Sequence, residues 1–251
     1  MKNTYKRSVI FLYAAFLACM VFSCKPPAGQ AGVHEELLAL KALMEKYVQN
    51  EANRISDELV AFSKVAAADR DFPMKLFAEG NRSAPEVTDF THRFMEPMGF
   101  SLLEIADSSQ TILSCAQFPA STGTKIAENA EMLGDEARFV YDNVKGQKVL
   151  TLQAKVHFRI LDTLLYCLGG RIVDDAFVSQ LSPGNGYKLF LLLGAKVFGV
   201  SSGSSISDIT DSTVAVSGAV YPAVLISLPF AGQGERPTLI LISEKAIIPK
   251  S

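Results

Sequence analysis

Two spacings of apolar residues divide this chain. Between Val33 and Phe72 no Gly or Pro occurs, and Leu37, Leu40, Met44, Val48, Ala52, Ile55, Leu59, Phe62 and Ala66 recur at an average of about 3.6 residues, the repeat of one face of a straight α-helix. That repeat predicts a helix of about 35 residues and roughly 50 Å, with its apolar stripe lying on a sheet. Two helices broken near Asn50 to Asn53 fit the same residues. A shorter helix follows. Ser83-Ala84-Pro85-Glu86 has the form of a capping box, Val87, Phe90, Phe94 and Met98 mark one face, and Pro97 with Gly99 end it.

From Leu102 the period falls to two. LLEIADSSQTILSCAQFP, Leu102 to Pro119, reads as two strands around a polar turn at Asp107 to Gln110, where short side chains bond their own backbone. KIAENAEML after Thr124 predicts a helix stopped by Gly134. In Val149 to Phe158, Leu150, Leu152, Ala154, Val156 and Phe158 fall on one face and Thr151, Gln153, Lys155 and His157 on the other, the mark of an antiparallel sheet with one face packed and the other at least partly wet. A turn at Leu161-Asp162 leads to a strand from Thr163 to Val173, and Asp174 caps a short helix, DAFVSQL. Tyr187 to Leu193 is apolar on both sides, which predicts a strand inside the sheet. Ala223 to Leu228 and Thr238 to Ser243 complete an α+β pattern without internal repeats.

With 49% apolar and 20% charged residues among 251, the chain can bury a core, so wholesale disorder is excluded. Lys2, Lys6 and Arg7 precede an uncharged run, SVIFLYAAFLACMVFS, that ends at Cys24. Sixteen residues are short for a membrane span. Val21-Phe22-Ser23-Cys24 resembles a bacterial lipoprotein signal, in which the cysteine is lipidated and becomes the new N-terminus; the bulky Phe22 departs from that pattern. An uncleaved anchor and a buried helix are the other readings of the run. Beyond residue 23 the chain holds 21 basic and 26 acidic residues, a balance of −5 that argues against nucleic acid as a partner. The expected segments are a signal over 1–23, a tether over 24–32, a helical segment over 33–99 and one folded domain over 100–245.

Candidate chemistry is sparse. Gly199-Val200-Ser201-Ser202-Gly203 matches a nucleophile elbow in letters only, because a polar stretch follows it and no histidine comes after His157. His34, His92 and His157 are far apart and lack the spacing of a metal site, so neither a metal nor another cofactor is expected. Asp135-Glu136 and Asp174-Asp175 are adjacent residues whose side chains point apart, which suits capping better than paired acid–base work. Cys115 and Cys167 each sit in an apolar strand pattern as small hydrophobes, with a disulfide between them the alternative. Gly169-Gly170 inside a strand marks a bulge or a close approach of backbone or ligand. Arg171 beside them suits an anionic ligand. The other reading of Arg171 is a surface side chain beside a bulge. In an unbulged strand Tyr166 points to the opposite face.

Together LLEIADSSQTILSCAQFPASTG, VLTLQAKV and LLYCLGGRIVDDAFVSQL resemble the extracytoplasmic sensor region of bacterial membrane-bound histidine kinases, with a PAS-like or Cache-like fold. The resemblance spans about Leu37 to Ser243. It implies a mainly antiparallel sheet, a long N-terminal helix, and a ligand pocket between the sheet and Phe118 to Leu133. Arg171, Tyr166 and His157 are the candidate ligand-binding residues, with a solvated side chain the other reading of His157. No phosphoacceptor-histidine segment or glycine-rich nucleotide box follows Ser243, so kinase activity is not carried over. The expectation is a module without catalytic activity, lipid-anchored through Cys24 outside the cytoplasm, that binds a small molecule and presents its state to a protein partner. A structural or interaction lipoprotein with a self-filled pocket is the alternative.

Overall fold

A computed structural model describes residues 30–77, 85–144, 146–194, 196–199 and 205–245. Cys24, the first two residues of the expected capping box (Ser83 and Ala84) and Ser201 lie outside them.

Helix α1, Gln30–Ala68, runs for 39 residues without a break at Asn50 to Asn53. Each stripe residue from Leu37 to Ala66 is buried, as is Val33. The helix stops where Asp69 turns its side chain to the next one. Its Oδ1 accepts from the N–H groups of Asp71 and Phe72 at 2.9 and 2.7 Å and so opens α2, Asp71–Phe77, by satisfying donors that a new helix leaves free. Helix α3, Pro85–Met95, packs Phe90 against Phe72 (ring centroids 4.2 Å apart) and against Phe62 of α1.

The strands form two antiparallel sheets rather than the single sheet expected. The first contains β1 (Leu102–Asp107), β2 (Ile112–Cys115), β3 (Arg138–Val144), β4 (Gln147–Ile160) and β5 (Thr163–Ile172) in the order β2-β1-β5-β4-β3. The second contains β6 (Tyr187–Leu193), β7 (Lys196–Gly199), β8 (Ile206–Ser207), β9 (Thr213–Val216), β10 (Ala219–Ser227) and β11 (Thr238–Ser243) in the order β7-β6-β11-β10-β9-β8. Between them stands α4, Asp175–Leu181, where Asp174 Oδ1 accepts from Phe177 N–H at 2.9 Å as its cap. The apolar run Tyr187 to Leu193 does lie inside a sheet, but between β7 and β11. The strand period reports which side chains are covered and is silent about which strand pairs with which.

Both sheets lay one face on α1, through β4 and β5 in the first and β10 and β11 in the second, and one apolar cluster runs from Leu37 and Ile55 to Leu152, Leu189 and Leu241. A second link ties the sheets directly. The segment after β10 zips onto the outer edge of β3, Phe139 N–H donating to Pro229 O and Ala231 N–H to Phe139 O, both at 2.8 Å.

Candidate functional site

Alternation along β1 sends Leu103 and Ile105 toward α1 and puts Glu104 and Ala106 on the opposite face of the first sheet. Register then gathers that face. Glu104 stands across from Cys115 and Leu168, and Ala106 from Tyr166. Tyr166 in turn pairs with His157, and Gly170 with Gln153. Over this face folds the segment from Phe118 to Leu133. It contains 3-10 turns at Pro119–Ser121 and Glu128–Met132 in place of the α-helix expected there.

This cover is fastened at both ends. Ile112 N–H donates to Thr124 O and Ile126 N–H to Gln110 O. At the far end Lys155 Nζ donates to Glu131 O at 2.7 Å and Asn129 Nδ2 to Tyr141 O at 3.3 Å. Ile126, Ala130 and Leu133 pack down onto Ala106, Ile112, Cys115, Val140 and Leu168, joined by Ala231 from the second sheet's loop.

Polar groups are caught beneath. Glu104 Oε1 accepts from Gln117 Nε2 at 2.7 Å and from the Cys115 thiol at 3.3 Å. Burial, with the charge of Asp142 added, pushes its carboxyl up to about 7 despite those two bonds. Burial beside the same carboxyl raises the Cys115 thiol as well. Thr151 and Gln153, expected on a partly wet face, are buried. Gln153 Nε2 donates to Asp142 Oδ2 at 2.6 Å and to Thr151 Oγ1 at 2.8 Å. In the cover, Thr122 Oγ1 is buried without a partner among the described residues, an uncommon condition for a polar atom.

Two of the three candidate binding residues, Tyr166 and His157, are cross-strand neighbours on one face, and Arg171 is not with them. Tyr166 lies on the covered face, with Lys155 Nζ 5.8 Å from its ring centre. His157 shares that face at its wet end and is exposed, its Nδ1 4.0 Å from Asp135. Arg171 points the other way. Its guanidinium donates to Glu51 of α1 at 3.0 Å and to Gln180 of α4 at 3.2 Å, and lies over the Phe177 ring. Burial works to raise the Glu51 carboxyl, but the bonds from Arg54 and Arg171 outweigh it and hold the group below its ordinary value. Arg54 also donates to Met98 O at 2.8 Å. The cluster thus locks α1 to β5, α4 and the turn before β1.

Cys115 and Cys167 are free and buried on opposite faces of the sheet, so the disulfide alternative does not hold. The close-approach reading of Gly169-Gly170 does hold: β5 runs without a bulge against both neighbours, and a β-carbon on Gly170 would meet Leu152 O at 2.0 Å and one on Gly169 would meet Leu59 Cδ1 at 2.8 Å. Among the described residues no group of three or more His, Cys, Asp or Glu could hold a metal ion.

No family model matches the chain, and no curated protein does. Solved structures do. The periplasmic domain of Vibrio cholerae LuxQ superposes with a TM-score of 0.56 at 13% identity, over 82% of this chain and 97% of that one. The ligand-binding domain of the Campylobacter jejuni chemoreceptor Tlp3, in complex with 4-methylisoleucine, gives 0.53 at 11% identity, over 85% of this chain and 91% of that one. The chain has the fold of bacterial periplasmic sensor domains. As the sequence resemblance implied, the fold joins a long N-terminal helix to antiparallel sheets.

Proposed function

We propose that this chain is a non-catalytic, extracytoplasmic ligand-binding module of the sensor type, anchored to a membrane by lipid on Cys24, which takes its ligand between the first sheet and the Phe118 to Leu133 cover. The observation that carries the reading is Glu104, a carboxyl held under an apolar cover at a cost that a protein concerned only with stability would avoid. A ligand bringing a cationic or hydrogen-bond-donating group offsets that cost. This face carries Glu104 and Asp142, while Arg171 is spent on Glu51. Amines and zwitterions therefore suit it better than the anion expected from Arg171. Tyr166 and His157 border the same face, and a protein partner reading the bound state is part of the proposal.

A thermal-shift screen of residues 25–251 against small amines, amino acids and organic acids tests this. A ligand at 100 times its dissociation constant adds about 2.7 kcal/mol, and the reading expects one amine-bearing class to do so and Glu104→Gln to abolish the shift. A flat screen from folded protein turns the reading to a structural or interaction lipoprotein, which Ile126, Ala130 and Leu133 favour by filling the space under the cover themselves.

The anchor has its own test. Among the described residues no helix is long and apolar enough to cross a membrane, and Cys24→Ser is expected to abolish lipid labelling of the full chain in cells. Labelling that persists, or maturation at the same position, refutes the anchor.

A further inference from the structure

A recess lies where the two sheets meet, away from the covered face. It encloses about 690 Å³, within the range of small-molecule sites. Its floor is apolar: Leu150 of β4, Ile172 and Val173 at the end of β5, and Leu193 and Phe198 of the second sheet. Tyr141 forms one wall, fixed by its hydroxyl donating to Glu235 O at 3.1 Å and by an edge-on contact with Phe230.

Four charges stand on the rim, and they are not equivalent. Asp174 is committed to capping α4. Glu235 folds against the β6–β7 turn, so close that a β-carbon on Gly194 would meet its Oε2 at 2.2 Å. Lys148 and Lys196 are different. Among the described residues neither ammonium has a carboxylate within ion-pair distance, and Lys148 is held over the recess by the Tyr141 ring, its Nζ 4.5 Å from the ring centre. Two unpaired cations above an apolar floor with two aromatic rings suit one anionic group on an apolar body. The two acids on the rim disfavour an anion of higher charge.

We infer that the recess between the sheets is a second ligand site, specific for a small amphipathic monoanion such as an aryl or alkyl carboxylate, with Lys148 and Lys196 receiving the carboxylate and Tyr141 and Phe198 flanking the apolar body. A ligand there touches β3, β4 and β5 of one sheet and β6 and β7 of the other, so it bridges the two halves of the molecule.

The test is equilibrium dialysis of radiolabelled phenylacetate against the full chain in phospholipid nanodiscs, with empty nanodiscs subtracted. Phenethylamine and 2-phenylethanol serve as the cationic and neutral counterparts. Saturable binding of phenylacetate is expected, with both counterparts at least about tenfold weaker. Lys148→Gln with Lys196→Gln should cost phenylacetate at least about tenfold while leaving the thermal melt in place. Glu104→Gln should leave phenylacetate binding unchanged, which separates this site from the one under the cover. Absence of saturable binding in the millimolar range, equal binding of the amine, or full affinity in the folded double-lysine variant each overturns the inference.

Discussion

Gly170→Ala is expected to destabilise the protein by at least about 3 kcal/mol, a large part of the roughly 5–15 kcal/mol that holds an ordinary domain together. The reason is what a methyl group would meet. A β-carbon at Gly170 falls 2.0 Å from Leu152 O and 2.8 Å from Gln153 Cα, and both are backbone atoms of β4. Side chains move aside by changing rotamer, but a carbonyl in a ladder moves only if the ladder opens. Gly169 offers the control. There the obstacles are Leu59 Cδ1 and Phe100 Cε2, both at 2.8 Å, which are side-chain ends, and Gly169→Ala should cost distinctly less. Urea unfolding followed by far-UV circular dichroism compares the three proteins. Stability of Gly170→Ala within about 1 kcal/mol of the parent would mean that β4 and β5 are not as close as described.

The second large effect depends on pH. Glu104 has an ordinary value of 4.5 and is pushed up to about 7 in the fold, by burial first and by Asp142 second. Below pH 4.5 the carboxyl is protonated folded or unfolded, and its contribution to stability is intact. As pH rises from there, the unfolded chain ionises first and gains free energy that the folded chain does not match. Stability therefore falls until the folded carboxyl also ionises near pH 7, and then levels off. At 1.36 kcal/mol per pH unit the interval is worth up to about 3 kcal/mol. Glu104→Gln keeps an oxygen to accept from Gln117 and Cys115 and cannot ionise. The variant should match the parent at pH 4 and exceed it at pH 8, with most of the slope between gone. Parallel stability curves for parent and variant would show that Glu104 is solvated.

Much of the architecture was legible because it depends on local period. The stripe from Leu37 to Ala66 belongs to one helix and every one of its residues is buried. The hairpin at Leu102 forms around Asp107, whose Oδ1 accepts from the N–H groups of Ser109 and Thr111, and Asp174 caps α4. Signals that depend on composition alone did less well. KIAENAEML has helix-forming residues, yet only a 3-10 turn forms, because the segment is pulled flat across the sheet by backbone bonds to β2 and by Lys155. Strand β3 was missed. Its RFVYDNV lacks a clean apolar–polar alternation, since large apolar residues fall on both faces: Val140 beside the charged Arg138 and Asp142 on one, Phe139 and Tyr141 on the other.

The candidate site divides in the same way. Sequence alone placed Tyr166 and Arg171 on opposite faces of an unbulged strand and singled out Gly169-Gly170 as a bulge or a place of close approach, because both follow from the period of a strand and the absence of a β-carbon. It could not say what would occupy either face. Arg171 finds its carboxylate on Glu51, 120 residues away along the chain. Glu104, which has no motif around it, becomes the most perturbed carboxyl described, since the fold buries it and brings Asp142 of β3 near it, against the opposing bonds from Cys115 and Gln117. The division of the strands into two sheets, the cover on one of them and the recess between them also come from long-range pairing. A residue's period along the chain is set by its neighbours in sequence, whereas its charge state and partners are set by whatever the fold brings within a few ångströms, and only the tertiary structure decides that.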